Sequence, residues 1–158
     1  MHTQQIELLQ QMPIFGGLAA EALEVLLEQA GTVSMPAQAF FFREGDPAVS
    51  MFVLERGSVS VLRHWKGREL VLRQLGKGDC FGEMALLDLF PRSAAVRADE
   101  DCRAIELTPA HLYRLFERDP APFAMIQMNI AREMSRRLRH TDDLLFRARM
   151  EGLPAEGK

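Results

Sequence analysis

The sequence predicts an α+β domain that is mainly β: an antiparallel sandwich, jelly roll or barrel with helices at both ends. Three observations predict it. Apolar residues recur at helical spacing up to about Ala30 and again after Thr108, the period between them falls to two, and glycine or proline turns interrupt that middle stretch at short intervals. The 158 residues match one domain, with a helical stretch over 1–30, a β region over 31–108 and helices over 109–150.

In the first stretch Leu18, Ala22, Leu26 and Ala30 share one helical face, widened by Leu23 and Leu27, and Gly31 is expected to end that helix from the C′ position. Strands are expected over Thr32–Met35, Phe40–Arg43, Ser50–Glu55, Ser58–Arg63, Leu70–Leu75, Ala94–Ala98 and Cys102–Leu107. The turns between them include Met35-Pro36, Gly45-Asp46-Pro47, Arg56-Gly57, Lys66-Gly67 and Gly76-Lys77-Gly78-Asp79. Met84–Leu89 breaks the pattern and suits one or two helical turns. Thr108-Pro109 and Asp119-Pro120 each set a capping side chain before a proline at the first helical position. The second pair opens a helix to about Met150, whose apolar residues Phe123, Ile126, Ile130, Met134, Leu138, Leu145 and Ala148, with Thr141 in the seam position between Leu138 and Leu145, form a seam that calls for a partner. Glu151–Lys158 reads as a frayed tail.

Composition narrows the function classes. A formal charge of −3 argues against a protein built to coat nucleic acid. Two cysteines, Cys80 and Cys102, lie in apolar strand-like stretches and suit a reducing compartment better than a disulfide framework. No amino-terminal targeting pattern and no apolar run of about 20 residues is present, so a cytoplasmic protein with no membrane partner is expected. His2, His64, His111 and His140 are scattered, which gives no metal-ligand spacing, and no nucleophile–base pair stands out, so no enzyme is expected.

Residues 81–96, FGEMALLDLFPRSAAV, carry the chemistry. Gly82 permits close approach of backbone to a ligand. The amino end of a Met84–Leu89 helix would present free N–H groups to an anion. Arg92 can fork onto a phosphate with charge-assisted bonds worth about 1.5–3 kcal/mol each, and Ser93 with the Ser93 and Ala94 amides can add donors. Ionised Glu83 has no donor, so it would repel a phosphate but accept a hydrogen bond from a sugar hydroxyl. Small Ala94 and Ala95 leave room for a ligand. The segment therefore combines an acceptor for a sugar with a cradle for a phosphodiester.

This stretch resembles the phosphate-binding cassette of cyclic nucleotide-binding domains, the family of bacterial cyclic AMP receptor proteins, kinase regulatory subunits and gated channels. PIFGGLAAEALEVLLEQA, FFREGDPAVSMFVLERGSVSVL, GRELVLRQLGKGDCFGE and RDPAPF resemble the same family in order and spacing, so the likeness runs from about Ile6 to Arg147. It implies an eight-stranded antiparallel jelly-roll-like β-roll with amino-terminal helices, a short cassette helix and a long carboxy-terminal helix. It further implies that Glu83 holds the ribose 2′-hydroxyl and that Arg92, helped by Ser93 and Ala94, pairs with the cyclic phosphate. Gly82, Met84 and Ala85 would contact the ligand, Gly82 and Ala85 through backbone. Val61 and Leu72 would line the pocket from the sheet, and Thr141, in SRRLRHTDDLL, would face the adenine amino group. The implied ligand is cyclic AMP, with cyclic GMP as the alternative because the Ser93 hydroxyl suits a guanine amino group. No other cofactor is implied.

Three departures from the family pattern stand out. Asp142 replaces a second hydroxyl that reaches a neighbouring subunit's base. Leu89-Phe90 replaces polar or glycine residues and is expected to pack on the long helix. Ala37-Gln38 replaces a glycine before the second strand. The implied assembly is a homodimer through Phe123–Ala148 that passes its signal to an unidentified protein effector, with DNA contact not expected of this chain. The alternatives are a cyclic AMP receptor-type transcription regulator with its reading domain elsewhere, and a ligand-free β-roll interaction module. Arg132, Arg136, Arg137, Arg139, Arg147 and Arg149 read as a solvated helix face.

Overall fold

The computed structural model describes residues 2–152. Helix α1 (Thr3–Gln10) leads through a 3-10 turn, Pro13–Phe15, to α2 (Ala20–Leu27). Eight strands follow: β1 (Gly31–Met35), β2 (Phe40–Phe42), β3 (Met51–Arg56), β4 (Val59–Trp65), β5 (Arg68–Leu75), β6 (Cys80–Phe81), β7 (Ala95–Ala98) and β8 (Cys102–Leu107). Helices α3 (Pro109–Arg118) and α4 (Pro120–Glu151) close the chain. The strands make two antiparallel four-stranded sheets, ordered β1-β8-β3-β6 and β2-β7-β4-β5.

Strand β3 shows why the core divides in two. Its run MFVL is buried on both faces, as a short continuous apolar run allows. Met51 and Val53 join Ile105 and Leu107 of β8 under the helices, against Leu9, Phe15, Leu23, Leu26, Leu115, Ile126 and Ile130. Phe52 and Leu54 point the other way, into the roll, with Val59, Val61, Phe81, Val96 and Ala104. The helical layer is tied to α4 by Asn129, whose buried amide donates to the carbonyls of Ile14 (3.2 Å) and Gly16 (3.0 Å).

The helix caps follow the sequence. Thr108 Oγ1 accepts from the His111 amide while His111 Nδ1 accepts from the Thr108 amide, a reciprocal cap on α3. Asp119 Oδ1 accepts from the Ala121 amide at the start of α4. Trp65 stands exposed beside the two-residue Lys66-Gly67 turn, where both central φ angles are positive.

Several expectations change. The first helical stretch is broken at Gly16-Gly17, and α2 ends at Leu27, so Leu18 and Ala30 flank that helix and Gly31 opens β1 instead of capping. Met84–Leu89 is not a regular helix: one 3-10 turn, Glu83–Leu86, stands there. Glu151 closes α4, and the rest of the expected tail beyond Gly152 lies outside the described residues. Leu89 and Phe90 do not pack on α4; they are 94% and 74% exposed. Asp88 Oδ1 accepts from the Phe90 amide at 3.2 Å, a local turn that carries the tip outward. The proximal part of the expected seam, Phe123, Ile126, Ile130 and Met134, packs into the chain's own core, so only the distal residues stay free for a partner.

At the Ala37-Gln38 departure, Gln38 takes φ 71°, a left-handed conformation in which a side chain costs about 1–2 kcal/mol. Gln38→Gly removes that penalty but loosens the unfolded chain. The variant is expected to be stabilised by about 0.5–1 kcal/mol, read from urea denaturation midpoints.

Candidate functional site

Between the sheet β2-β7-β4-β5 and the segment 82–94 lies a cavity of ≈160 Å³. Its floor is one register row. Phe42 pairs with Val96, Val96 with Val61, and Val61 with Arg73, and all four residues line the cavity.

Local contacts hold Arg92 at one end of this row. Its backbone N–H donates to the Asp46 carbonyl (2.8 Å) and its carbonyl accepts from the Gly45 amide (2.9 Å). The guanidinium lies 3.9 Å from the Phe42 ring centroid, Nη2 donates to the Ser50 carbonyl at 2.6 Å and Nη1 to the Gly82 carbonyl at 3.2 Å. Arg92 is 7% exposed, and its Nε has no partner among the described residues. No carboxylate among the described residues comes within 4.0 Å of it, so neither Asp88 nor Glu83 pairs with it. Burial pushes the guanidinium below its ordinary value, opposed by the charges of Asp46 and Glu106. A buried cation without a counter-ion suits an incoming anion.

Gly82 is required where Arg92 passes it. Its φ is 76°, and a Cβ there would lie 2.6 Å from Arg92 Nη1 and 3.2 Å from the Ser50 carbonyl. The preceding Phe81 stacks on Phe52 (5.3 Å) and meets Phe41 edge-on (4.9 Å), which anchors the strand entering the cassette.

Glu83 is 2% exposed and opens the 3-10 turn. Its Oε1 accepts from Nη1 of Arg137 on α4. Arg137 also faces Glu133 Oε1 at 3.7 Å, and burial lowers the affinity of its guanidinium for the proton, with the nearby Arg73 charge adding to this. Cys80 lies near enough to the same arginine to feel its charge. Burial pushes its thiol from 9.0 up to about 11, opposed by Arg137 and Arg73 and reinforced by Glu133 and Asp79. The unfolded thiol ionises first, so stability is expected to fall as pH rises from about 9 to about 11, and to fall less in Cys80→Ala. Urea midpoints across that range check it.

The structure brings Gly82, Glu83, Met84, Ala85, Arg92, Ser93, Ala94 and Val61 to the cavity wall. Leu72 is outside it. The register slips between Val61–Arg73 and Leu62–Val71, which leaves Leu72 unpaired at a bulge, half exposed, while Arg73 turns to the face that Val61 shares. Thr141 is exposed and also outside, because α4 meets the cassette one turn earlier, at Arg137. Sequence reasoning missed Arg137, Arg73 and Phe42. Arg137 continues the face of Ile126, Ile130 and Met134, and a charge on that apolar face was the available signal.

The comparisons agree with this geometry. The family model described as "Cyclic nucleotide-binding domain" matches residues 32–119. The chain is 34% identical over 131 residues to the Cyclic AMP receptor protein of Thermus thermophilus, covering 82% of this chain and 59% of that protein, so it spans about six tenths of that relative's length. The crystal structure of Thermus thermophilus Catabolite Activator Protein superposes with a TM-score of 0.78 at 34% identity, covering 88% of this chain and 64% of that one. A co-crystal structure of the regulatory domain of Toxoplasma gondii PKA with cAMP reaches a TM-score of 0.67 at 27% identity, covering 72% of this chain and 43% of that one. With a cassette that sets a buried arginine beside a buried glutamate and a family model matching more than half its length, the chain belongs to the cyclic nucleotide-binding domain family.

Proposed function

We propose that this chain is a sensor module whose ligand is cyclic AMP and that it has no catalytic chemistry of its own. The observation that carries the reading is Arg92: buried, without a carboxylate partner, and lining a cavity it shares with buried Glu83. Among the ionisable residues of that cavity three arginines face two carboxylates, which leaves one positive charge for a monoanionic phosphodiester. A cyclic phosphate accepts from Arg92, Ser93 and the cassette amides, and the ribose 2′-hydroxyl donates to Glu83. The choice of the adenine nucleotide is supported by relatives and a neighbour named for cyclic AMP.

Signal transfer follows from the Glu83–Arg137 contact. A sugar hydroxyl at Glu83 competes with Arg137 for the carboxylate, so the ligand binds differently according to where α4 sits, and linkage makes α4 respond. Distal α4 leaves Leu138, Leu145 and Phe146 exposed, and this stretch suits a homodimer or a protein effector. The same sensor would serve a cyclic AMP receptor-type transcription regulator, the reading favoured by the further length of the Thermus relative. Among the described residues no helix is long and apolar enough to cross a membrane.

Calorimetric titration of the full chain with cyclic AMP tests the reading. One saturable site per chain is expected. No saturable heat and no thermal shift with any 3′,5′-cyclic mononucleotide at millimolar concentration would overturn it.

A further inference from the structure

Arg92 rests on the carbonyl of Ser50, and what holds Ser50 lies outside the cavity. The β3–β8 ladder begins at Met51, opposite Leu107, so Ser50 stands just beyond its end. Its side chain replaces the missing ladder contact. Ser50 Oγ donates to Oε1 of Glu106 on β8 at 2.8 Å, and the residue is buried. On its other side the Ser50 carbonyl accepts from Arg92 Nη2 at 2.6 Å. A short path therefore runs from the cavity arginine, through one residue, to a carboxylate in the other sheet.

Glu106 is half-buried and has no cation within 4.0 Å among the described residues. Its charge acts at longer range on two groups. With Asp46 it favours the charged form of Arg92, and it favours the charged form of His111 on α3. In the α3 cap His111 is neutral, because Nδ1 accepts from the Thr108 amide at 3.1 Å. Burial holds its proton affinity below the ordinary histidine value, opposed by Glu106 and reinforced by Arg114, whose own charge meets Glu28 at 2.6 Å. Protonated His111 has no lone pair for the Thr108 amide, so the cap two residues beyond Glu106 opens. It also sets a new cation near Glu106, which competes with Ser50 for the carboxylate.

We infer that Glu106 is a positioning residue that fixes Arg92 for the phosphate through Ser50, and that His111 lowers ligand affinity in acid by drawing on the same carboxylate. The inference rests on the cyclic nucleotide reading of the cavity and adds proton regulation to it. Neither Glu106 nor His111 lines the cavity, so each acts through Arg92.

The test is calorimetric titration of the full chain with cyclic AMP between about pH 7.5 and about pH 5, in wild type, His111→Gln and Glu106→Gln. Glutamine suits the same position of a reciprocal cap, so His111→Gln keeps an acceptor for the Thr108 amide and cannot titrate. Glu106→Gln keeps the acceptor for Ser50 and removes only the charge. Wild-type affinity is expected to fall about fivefold or more toward the acid end, while His111→Gln stays within about twofold. Glu106→Gln is expected to bind about three- to tenfold more weakly near neutral pH and to lose most of the pH dependence. Ligand-free thermal denaturation at each pH confirms that the variants are folded, and His111→Gln decides the proton step by itself. A flat wild-type profile, an undiminished acid loss in His111→Gln, or wild-type affinity in Glu106→Gln overturns this inference and leaves the site in place. Binding at no pH by the wild-type chain overturns the reading of the cavity and this inference with it.

Discussion

Arg92→Ala is expected to reduce affinity for cyclic AMP by at least about 100-fold in calorimetric titration. Charge-assisted hydrogen bonds contribute about 1.5–3 kcal/mol each, and the fork supplies two to a phosphate, so the lost bonds alone reach that size. Burial strengthens the effect. Arg92 is 7% exposed, so bulk water screens its charge less than it would on an open surface. Arg92→Lys keeps the charge but lacks the planar fork, and it is expected to fall between the two. Fold integrity is read separately, from ligand-free thermal denaturation. The variant loses bonds to the Ser50 and Gly82 carbonyls but also relieves a buried cation, so its own stability is expected to move little. An affinity unchanged within threefold in a folded Arg92→Ala protein would remove the phosphate from this end of the cavity.

The second large effect is on stability alone. Gly57, between β3 and β4, holds φ 95°, and a Cβ there would lie 2.6 Å from Cys102 Sγ, 2.7 Å from the Asp101 carbonyl and 3.0 Å from Cys102 Cα. Two of those three atoms are backbone of a paired strand or its entry, and they cannot swing aside as a long side chain does. The Cys102 thiol is itself held, donating to the carbonyls of Ser58 (3.2 Å) and Glu100 (3.1 Å). Strained backbone and overpacking each cost about 1–3 kcal/mol, so Gly57→Ala is expected to lose about 3–5 kcal/mol. For a chain of this size that lowers Tm by roughly 10 °C or more. Gly57 does not line the cavity, so the fraction that remains folded is expected to bind ligand with unchanged affinity. A Tm within 2 °C of wild type would mean that the turn reopens at no cost.

Most of the β architecture was legible because glycine, proline and other turn residues bound short runs of strand-forming residues, even where, as in β3, both faces are buried. Cys102–Leu107 matches its expected ends, and the other six expected strands shift by one or two residues. The eighth, Cys80–Phe81, has two residues, too few for any period, and only the family resemblance implied it. The cassette residues were legible because their chemistry sits in one contiguous segment. What was not legible depended on register. A bulge carries no signature in RELVLRQL, yet it decides that Arg73 and not Leu72 enters the cavity. Arg137 was grouped with the surface arginines of its helix because a count of charges does not say which one faces inward. Its partner is 54 residues away, and that proximity exists only once α4 has packed.

Helix α4 is 32 residues long, and its buried residues end at Ile130. Beyond Arg137, whose ion pair with Glu83 ties α4 to the cassette, the helix runs on for about 21 Å to Glu151. A tilt of about 10° at Arg137 would sweep the far end by roughly 4 Å. On the proposed reading the module would work as a lever, with its input arm at the cassette and its output arm beyond Arg137. A displacement no larger than a broken ion pair would then become a shift of several ångströms for whatever grips exposed Phe146 and Met150.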